Sequence, residues 1–235
     1  MAKILILGAG SMGTAFSFPC SDNGHSVSIV GTHLENDFID QIKSSKKHPA
    51  LNCEILKNVT FSKFEKLEEE ITKKIDLVVI AVTSKGIEWA SNEISKVLKN
   101  NVPILILTKG LAINNNKFEV LAHKMERLLK KNGTKETNIS AAGGPCLAKN
   151  LANKAHTSVV FANKDIKEVE KISKLVSTDY YHISTSEDVA GVEICVQLRI
   201  YFQWLLELPK VYATQTNQKK KLFKYSSGPY SRIYI

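Results

Sequence analysis

The stretch "ILILGAGSMGTAF" constrains this chain more than any other. An apolar run, Ile4 to Leu7, leads directly into Gly8, Gly10 and Gly13, and a helix-forming sequence follows. In that context Gly8 permits a tight turn, Gly10 lets the backbone approach a pyrophosphate, and Gly13 lets helix and strand pack closely. The N–H groups that open the helix, in the Ser11-Met12 segment, favour an anion. Two readings fit the spacing alone: a dinucleotide grip, or a glycine-rich turn that binds nothing.

The rest of the chain supplies a scaffold for such a loop. Short apolar runs recur at 3–7, 26–30, 76–82, 103–107, 138–142 and 157–161. Most are rich in Val and Ile without alternation, as expected of parallel strands covered on both faces. Helical periods lie between them, for example over 117–131, with Phe118, Leu121, Met125, Leu128 and Leu129 on one side. This order predicts an α/β fold with a doubly wound, mostly parallel sheet over residues 1–185. A helix with Ser186 as its N-cap is expected to open a second, incomplete helical domain over 186–198. Residues 199–235 keep neither helical nor strand period, and the reading there is an aberrant, poorly ordered tail.

Charge does not point to nucleic acid. The chain carries a formal +9, but from Arg199 onward seven Lys/Arg face one acid, Glu207. The first 198 residues hold 25 Lys/Arg against 22 Asp/Glu, a net +3. The basic excess therefore belongs to the tail and says nothing of what the body binds. No apolar run reaches the ~18 residues of a membrane span. "MAK" leads into the first strand without a signal-peptide pattern, and the four scattered cysteines show no metal-ligand spacing. A cytoplasmic protein with reduced thiols, no metal, no nucleic-acid partner and no membrane partner is expected.

Three further segments carry chemistry. Val30-Gly31-Thr32-His33 ends the second strand run without the acid that holds adenosine ribose hydroxyls, Glu35 coming next. That leaves room for a 2′-phosphate, with His33 either its partner or a solvent-exposed loop residue, and predicts NADP(H) binding at least comparable to NAD(H). "LTKGL" puts Lys109 at the carboxyl edge of a strand, where open α/β sheets bind ligands. "AAGGPCLAKN" again has glycines after a strand, with Pro145 placed to start a helix whose N-terminus would suit a phosphate or carboxylate.

In order, "LGAGSMGTAF", "NGHSV", "HPAL", "LVVIAV", "TKGL", "GGPCLAKN" and "SEDVAGVEI" resemble the NAD(P)-dependent glycerol-3-phosphate dehydrogenase family, from about Lys3 to Ile194. The resemblance implies a Rossmann-like N-terminal domain, a helical C-terminal domain, NAD or NADP as cofactor, a small phosphorylated substrate and a homodimer in the intact form. It implies interconversion of glycerol 3-phosphate and dihydroxyacetone phosphate by hydride transfer, feeding glycerophospholipid synthesis. Residue by residue, Gly8, Gly10, Ser11, Met12 and Gly13 fall in the cofactor's phosphate loop, with Met12 in place of a frequent aromatic. Thr32 and His33 fall at its adenosine end. Lys109 matches the family's lysine near substrate and nicotinamide, Gly144 and Cys146 match substrate contacts, and Ala148 matches a cofactor contact. Cys146 stands where a hydroxyl residue is usual, and Gly143 where a serine is common.

The pattern then breaks. Where the family has a catalytic Leu-Lys-Asn, this chain has Leu198-Arg199-Ile200. A guanidinium stabilises an oxyanion but hardly exchanges a proton near neutrality. With permissible codons, one base restored before Arg199 turns the sequence into Leu-Lys-Asn-Ile-Phe-Ser-Met-Val-Ala-Gly-Ala-Ala-Glu-Gly-Leu, which resembles the family's continuation. A frameshifted tail on a truncated enzyme is the resulting expectation. Two other readings stand beside it: a catalytically dead, nucleotide-binding remnant, and a related NAD(P)-dependent reductase of another small hydroxy acid or sugar phosphate.

Overall fold

The computed structural model describes residues 1–98 and 102–198. The chain opens β1 (Lys3–Leu7), α1 (Ser11–Asp22), β2 (Ser26–Val30) and α2 (Asn36–Ser45). A short hairpin of β3 (Lys47–His48) and β4 (Cys53–Glu54) precedes β5 (Val59–Ser62), α3 (Leu67–Thr72) and β6 (Leu77–Ile80). Next come α4 (Ile87–Val97), β7 (Ile104–Ile106), a second hairpin of β8 (Leu111–Asn114) and β9 (Lys117–Val120), and α5 (Leu121–Lys131). The sequence closes with β10 (Ile139–Gly143), α6 (Ala148–Ala152), β11 (Thr157–Ala162), α7 (Ile166–Val176), β12 (Tyr181–Ser186) and a helical segment over 189–198.

Eight strands form one sheet in the order β12-β11-β10-β7-β6-β1-β2-β5. All neighbours are parallel except β10 and β11. The order reverses at β1, whose two neighbours are β2 and β6, and this creates the crevice where such sheets take ligands. The period-two geometry of β1 explains its unbroken apolar run. Ile4 and Ile6 face one core with Phe16, Ile39 and Tyr181, while Leu5 and Leu7 face the other with Ile87 and Met125. All four are fully buried, and each contributes ~1.5–3 kcal/mol by leaving water.

The mostly parallel, doubly wound sheet and all six expected strands are present, with ends shifted by a residue or two. The helix expected over 117–131 is not continuous: Lys117–Val120 is β9, and only Leu121–Lys131 is helical. Asn115 and Asn116 both adopt positive φ (48° and 57°) and close the β8–β9 hairpin, a backbone requirement that overrides the helical period of Phe118. Pro145 does not start a helix either. A three-residue turn, in which the Cys146 N–H donates to the Gly144 carbonyl (3.0 Å), leads through an extended Leu147 into α6, which is five residues long and too short for an N-terminal anion site. Ser186 is not the N-cap of the last helix. Its hydroxyl accepts the Asp188 N–H (3.1 Å), and the Asp188 carboxylate accepts the Gly191 N–H (2.7 Å). The tail expected to be aberrant lies outside the described residues. Among the described residues no helix is long and apolar enough to cross a membrane, and no cluster of three or more His, Cys, Asp or Glu could hold a metal.

Candidate dinucleotide and substrate site

The glycine loop is built as the spacing requires. Gly8 follows β1 at φ +114°, and its N–H donates to the Val30 carbonyl (2.8 Å). A Cβ there would stand 2.7 Å from the Ala81 carbonyl oxygen, so the loop presses against the end of β6. A Cβ on Gly13 would collide with the Gly8 carbonyl oxygen, which makes that glycine a close-packing device. Gly10 differs. It precedes α1 at φ −63°, and a Cβ there would find only the Glu35 Oε1, 3.9 Å away. The space above Gly10 is open, as a ligand's approach demands. Ser11 opens α1, and Met12, half-buried, packs against the core.

At the end of β2, Thr32 is half-buried and His33 exposed. The His33 ring is not solitary: it lies 5.1 Å from Trp89 and 6.5 Å from Phe64, in an aromatic cluster at the sheet edge. The residue that sequence reading passed over is Glu35. Its Oε2 accepts the Thr32 N–H (2.7 Å) and the Ala9 N–H (3.2 Å), placing a carboxylate against the glycine loop. The buried His48, on the β3–β4 hairpin, lies near Ala9 and Glu35. Burial lowers its imidazole pKa, while the Ala9 backbone and the Glu35 charge act in the opposite sense.

Lys109, Gly144 and Cys146 come together at the same carboxyl edge. Lys109 follows β7, and its Nζ donates to the Gly144 carbonyl (3.1 Å). The Thr108 hydroxyl donates to the Val82 carbonyl (2.7 Å), anchoring the turn that presents the lysine. Burial pushes the Cys146 thiol up to about 11, with the Lys109 charge acting in the opposite sense, so it is a neutral thiol at physiological pH. Ala148 begins α6, which packs on α1 behind the glycine loop. Beside Gly144 an apolar groove of about 430 Å³ is lined by Gly143, Val160, Val192 and Val196. Glu193, six percent exposed, accepts the Ala122 N–H (3.1 Å) at the start of α5 and ties the last helix to the sheet domain. Burial pushes its carboxyl up to about 7. Arg199, set against the family's lysine by sequence, lies outside the described residues.

A mostly parallel sheet that reverses its strand order beside a glycine loop of this construction defines a Rossmann-like, dinucleotide-binding domain. Comparison with known proteins makes the class specific. Residues 3–169 match the family model described as the NAD-dependent glycerol-3-phosphate dehydrogenase N-terminus, and the chain belongs to that family. The NADP(+)-dependent glycerol-3-phosphate dehydrogenase of Archaeoglobus fulgidus is 28% identical over 214 residues, 91% of this chain and 62% of that protein. The glycerol-3-phosphate dehydrogenase [NAD(P)+] of Streptococcus agalactiae is 28% identical over 199 residues, 84% of this chain and 56% of that one. The chain thus spans about three-fifths of the length of the curated relatives it matches. The crystal structure of glycerol-3-phosphate dehydrogenase from Coxiella burnetii shares the fold, with a TM-score of 0.72 at 20% identity over 83% of this chain and 57% of that one.

Proposed function

We propose that this chain is the cofactor-binding part of an enzyme that interconverts sn-glycerol 3-phosphate and dihydroxyacetone phosphate in the cytoplasm, feeding glycerophospholipid synthesis. The observation that carries the reading is the meeting, on one sheet edge, of the glycine loop with the linked Lys109–Gly144 pair. Gly8, Gly10, Ser11, Met12 and Gly13 receive the pyrophosphate. Thr32 and His33 border the adenosine, and Ala148 adds a contact beside the loop. The nicotinamide, when bound, supplies or accepts the hydride. Lys109 places its positive charge where the substrate oxygen becomes an alkoxide, and Gly144 and Cys146 shape the substrate's seat.

The proton that completes reduction needs a donor, a contribution of typically ~10²–10⁴-fold. Arg199 stays protonated and is a poor donor. The chain as written is therefore a nucleotide-binding form with little turnover, and the frameshift explains it. The match with the Archaeoglobus fulgidus relative, 214 residues long, extends past Leu198, so the break itself has to be tested. Resequencing around codon 198 decides the frame. NAD(P)H oxidation by dihydroxyacetone phosphate is then compared between this chain, its Arg199→Lys variant and the product of a gene with one base inserted before codon 199. Activity is expected from the third alone. Equal, substantial rates from the first and third would overturn the frame reading. Reduction of an unphosphorylated ketone in preference to dihydroxyacetone phosphate would overturn the substrate assignment.

A further inference from the structure

The β3–β4 hairpin stands outside the eight-stranded sheet, yet it carries a buried histidine to the glycine loop. His48 is fully enclosed, with its ring edge-on to Phe38 of α2 and the ring centroids 5.1 Å apart. The Asn52 N–H donates to the His48 carbonyl (2.8 Å) and fixes its backbone. The Leu51 N–H donates to Nδ1 (3.2 Å). Burial favours the neutral ring, and a neutral ring that accepts at Nδ1 carries its proton on Nε2. That Nε2 is buried and has no hydrogen-bond partner among the described residues. A buried donor without a partner is costly and uncommon in folded proteins.

We propose that His48 is a positioning residue of the glycine loop: its Nε2–H closes on the Ala9 carbonyl when a dinucleotide binds, and so aims the Gly10 N–H at the pyrophosphate. The inference rests on the dinucleotide reading above and deepens it.

The Ala9 carbonyl faces the His48 ring. It already accepts from the Thr14 hydroxyl (3.2 Å), and both Thr14 and His48 are buried, so this carbonyl points into the protein. A planar trans peptide sets its C=O and N–H in opposite directions, and no cis peptide occurs among the described residues. The Gly10 N–H shares that plane with the Ala9 carbonyl. It therefore points away from the core, at the glycine that leaves room for a ligand. The Ala9 N–H is held separately, by the Glu35 carboxylate at 3.2 Å. Both existing bonds to Ala9 are long, and bonds that serve a ligand are often long without it and tighten in the complex. A third donor on the inner side would stop the peptide from rotating while its outer side meets the anion.

Asparagine and glutamine separate the two ring nitrogens. Asparagine keeps an acceptor near Nδ1 for the Leu51 N–H but has no donor at the reach of Nε2, whereas glutamine supplies that donor. The test titrates the whole chain with NADH and with NADPH by fluorescence, in the wild type, His48→Asn and His48→Gln, beside a thermal melt of each. His48→Asn is expected to weaken both dinucleotides about tenfold, the scale of one net hydrogen bond. The factor should be the same for both, because they share the pyrophosphate. His48→Gln should return to within about threefold of the wild type. Unchanged binding by His48→Asn overturns the inference, as does His48→Gln binding no better than His48→Asn. Should the variants fail to fold, nitrogen-15 spectra of the wild-type imidazole decide instead. The proton must sit on Nε2, and NADPH must shift its resonance downfield and slow its exchange with water; a proton on Nδ1, or an unmoved resonance, overturns the inference. If the wild type binds neither NADH nor NADPH, the dinucleotide reading itself falls and takes this one with it.

Discussion

Lys109 and Gly144 belong to different loops, 35 residues apart, yet the lysine ammonium donates a 3.1 Å hydrogen bond to the glycine carbonyl. The bond joins the turn after β7 to the turn after β10 and holds a cation at the carboxyl edge of the sheet. Gly144 stands at φ +128°, a conformation side chains rarely adopt, and a Cβ on it would lie 3.0 Å from Val159 Cα, so the turn that offers this carbonyl is suited to glycine.

Removing that cation should cost chemistry more than folding. In the frame-restored protein, Lys109→Met is expected to lower kcat for dihydroxyacetone phosphate reduction ~10²–10³-fold, the scale of losing one preorganised oxyanion stabiliser. Steady-state kinetics beside a thermal melt would check it. A kcat within threefold of wild type would remove Lys109 from the chemistry.

The glycines should separate by function. Gly13→Ala drives a methyl into the Gly8 carbonyl and is expected to cost ~1–3 kcal/mol of stability. Gly10→Ala meets nothing within 3.9 Å and has an ordinary φ, so stability should stay within ~0.5 kcal/mol. Dinucleotide affinity should nevertheless fall at least about tenfold, because the methyl fills the ligand's approach. Urea unfolding and nucleotide titration on the two variants give the comparison. A Gly10→Ala protein that binds normally would show that the open space is not used.

Glu193 should give stability a pH dependence of unusual sign. Folding raises this carboxyl from an ordinary value of about 4.3 to about 7, so the native state holds the proton more tightly than the unfolded chain. Its contribution is complete below about pH 4.3 and is lost as pH rises through 7. Between pH 5 and pH 8 the melting temperature should decline, and Glu193→Gln, which still accepts the Ala122 N–H, should flatten that decline by ~1–3 kcal/mol. Calorimetry at four pH values decides, and equal slopes for both proteins would exclude Glu193 as the source.

Cysteine labelling should follow burial. Cys195 is exposed and should react with iodoacetamide first at pH 8. Cys146, with its thiol pushed up to about 11, should lag by at least about tenfold. Cys20, fully buried with its pKa raised by burial, should react only on unfolding. Mass spectrometry of timed digests would read the order. Rapid labelling of Cys146 would contradict its packing against the core.

The central strands were legible because both of their faces are covered, which leaves an unbroken apolar run in β1, β6 and β7. The edge strands β5 and β12 were not. Half of each side-chain set faces outward, and "VTFS" and "YHISTS" read as mixed segments. The β8–β9 hairpin was hidden by the chance helical spacing of Phe118, although the Asn115-Asn116 pair carried its turn signal. In the site, the glycine loop was legible because it is contiguous. Glu35 was not, because its carboxylate reaches the loop by folding back around a turn rather than by lying at the strand end. The departure at Gly143 also has its explanation here. A Cβ would stand 2.5 Å from a Val192 methyl and 3.0 Å from one of Val196, so the last helix occupies the room a serine side chain would need.

The single antiparallel contact in the sheet, β10 against β11, decides where the chain is heading at its far end. Because β12 runs with β11, it carries the backbone away from the site edge, and Ser186 finishes level with Ala162. The helix that follows must climb back. Val189 starts beside Ile139 at the foot of β10, and Val196 ends against Gly143 at its top. The reversed pair therefore works as a launching ramp aimed at Lys109. Whatever polypeptide is joined after Leu198 therefore leaves from the end of the sheet that holds the Lys109–Gly144 pair, opposite the end at which the last helix began.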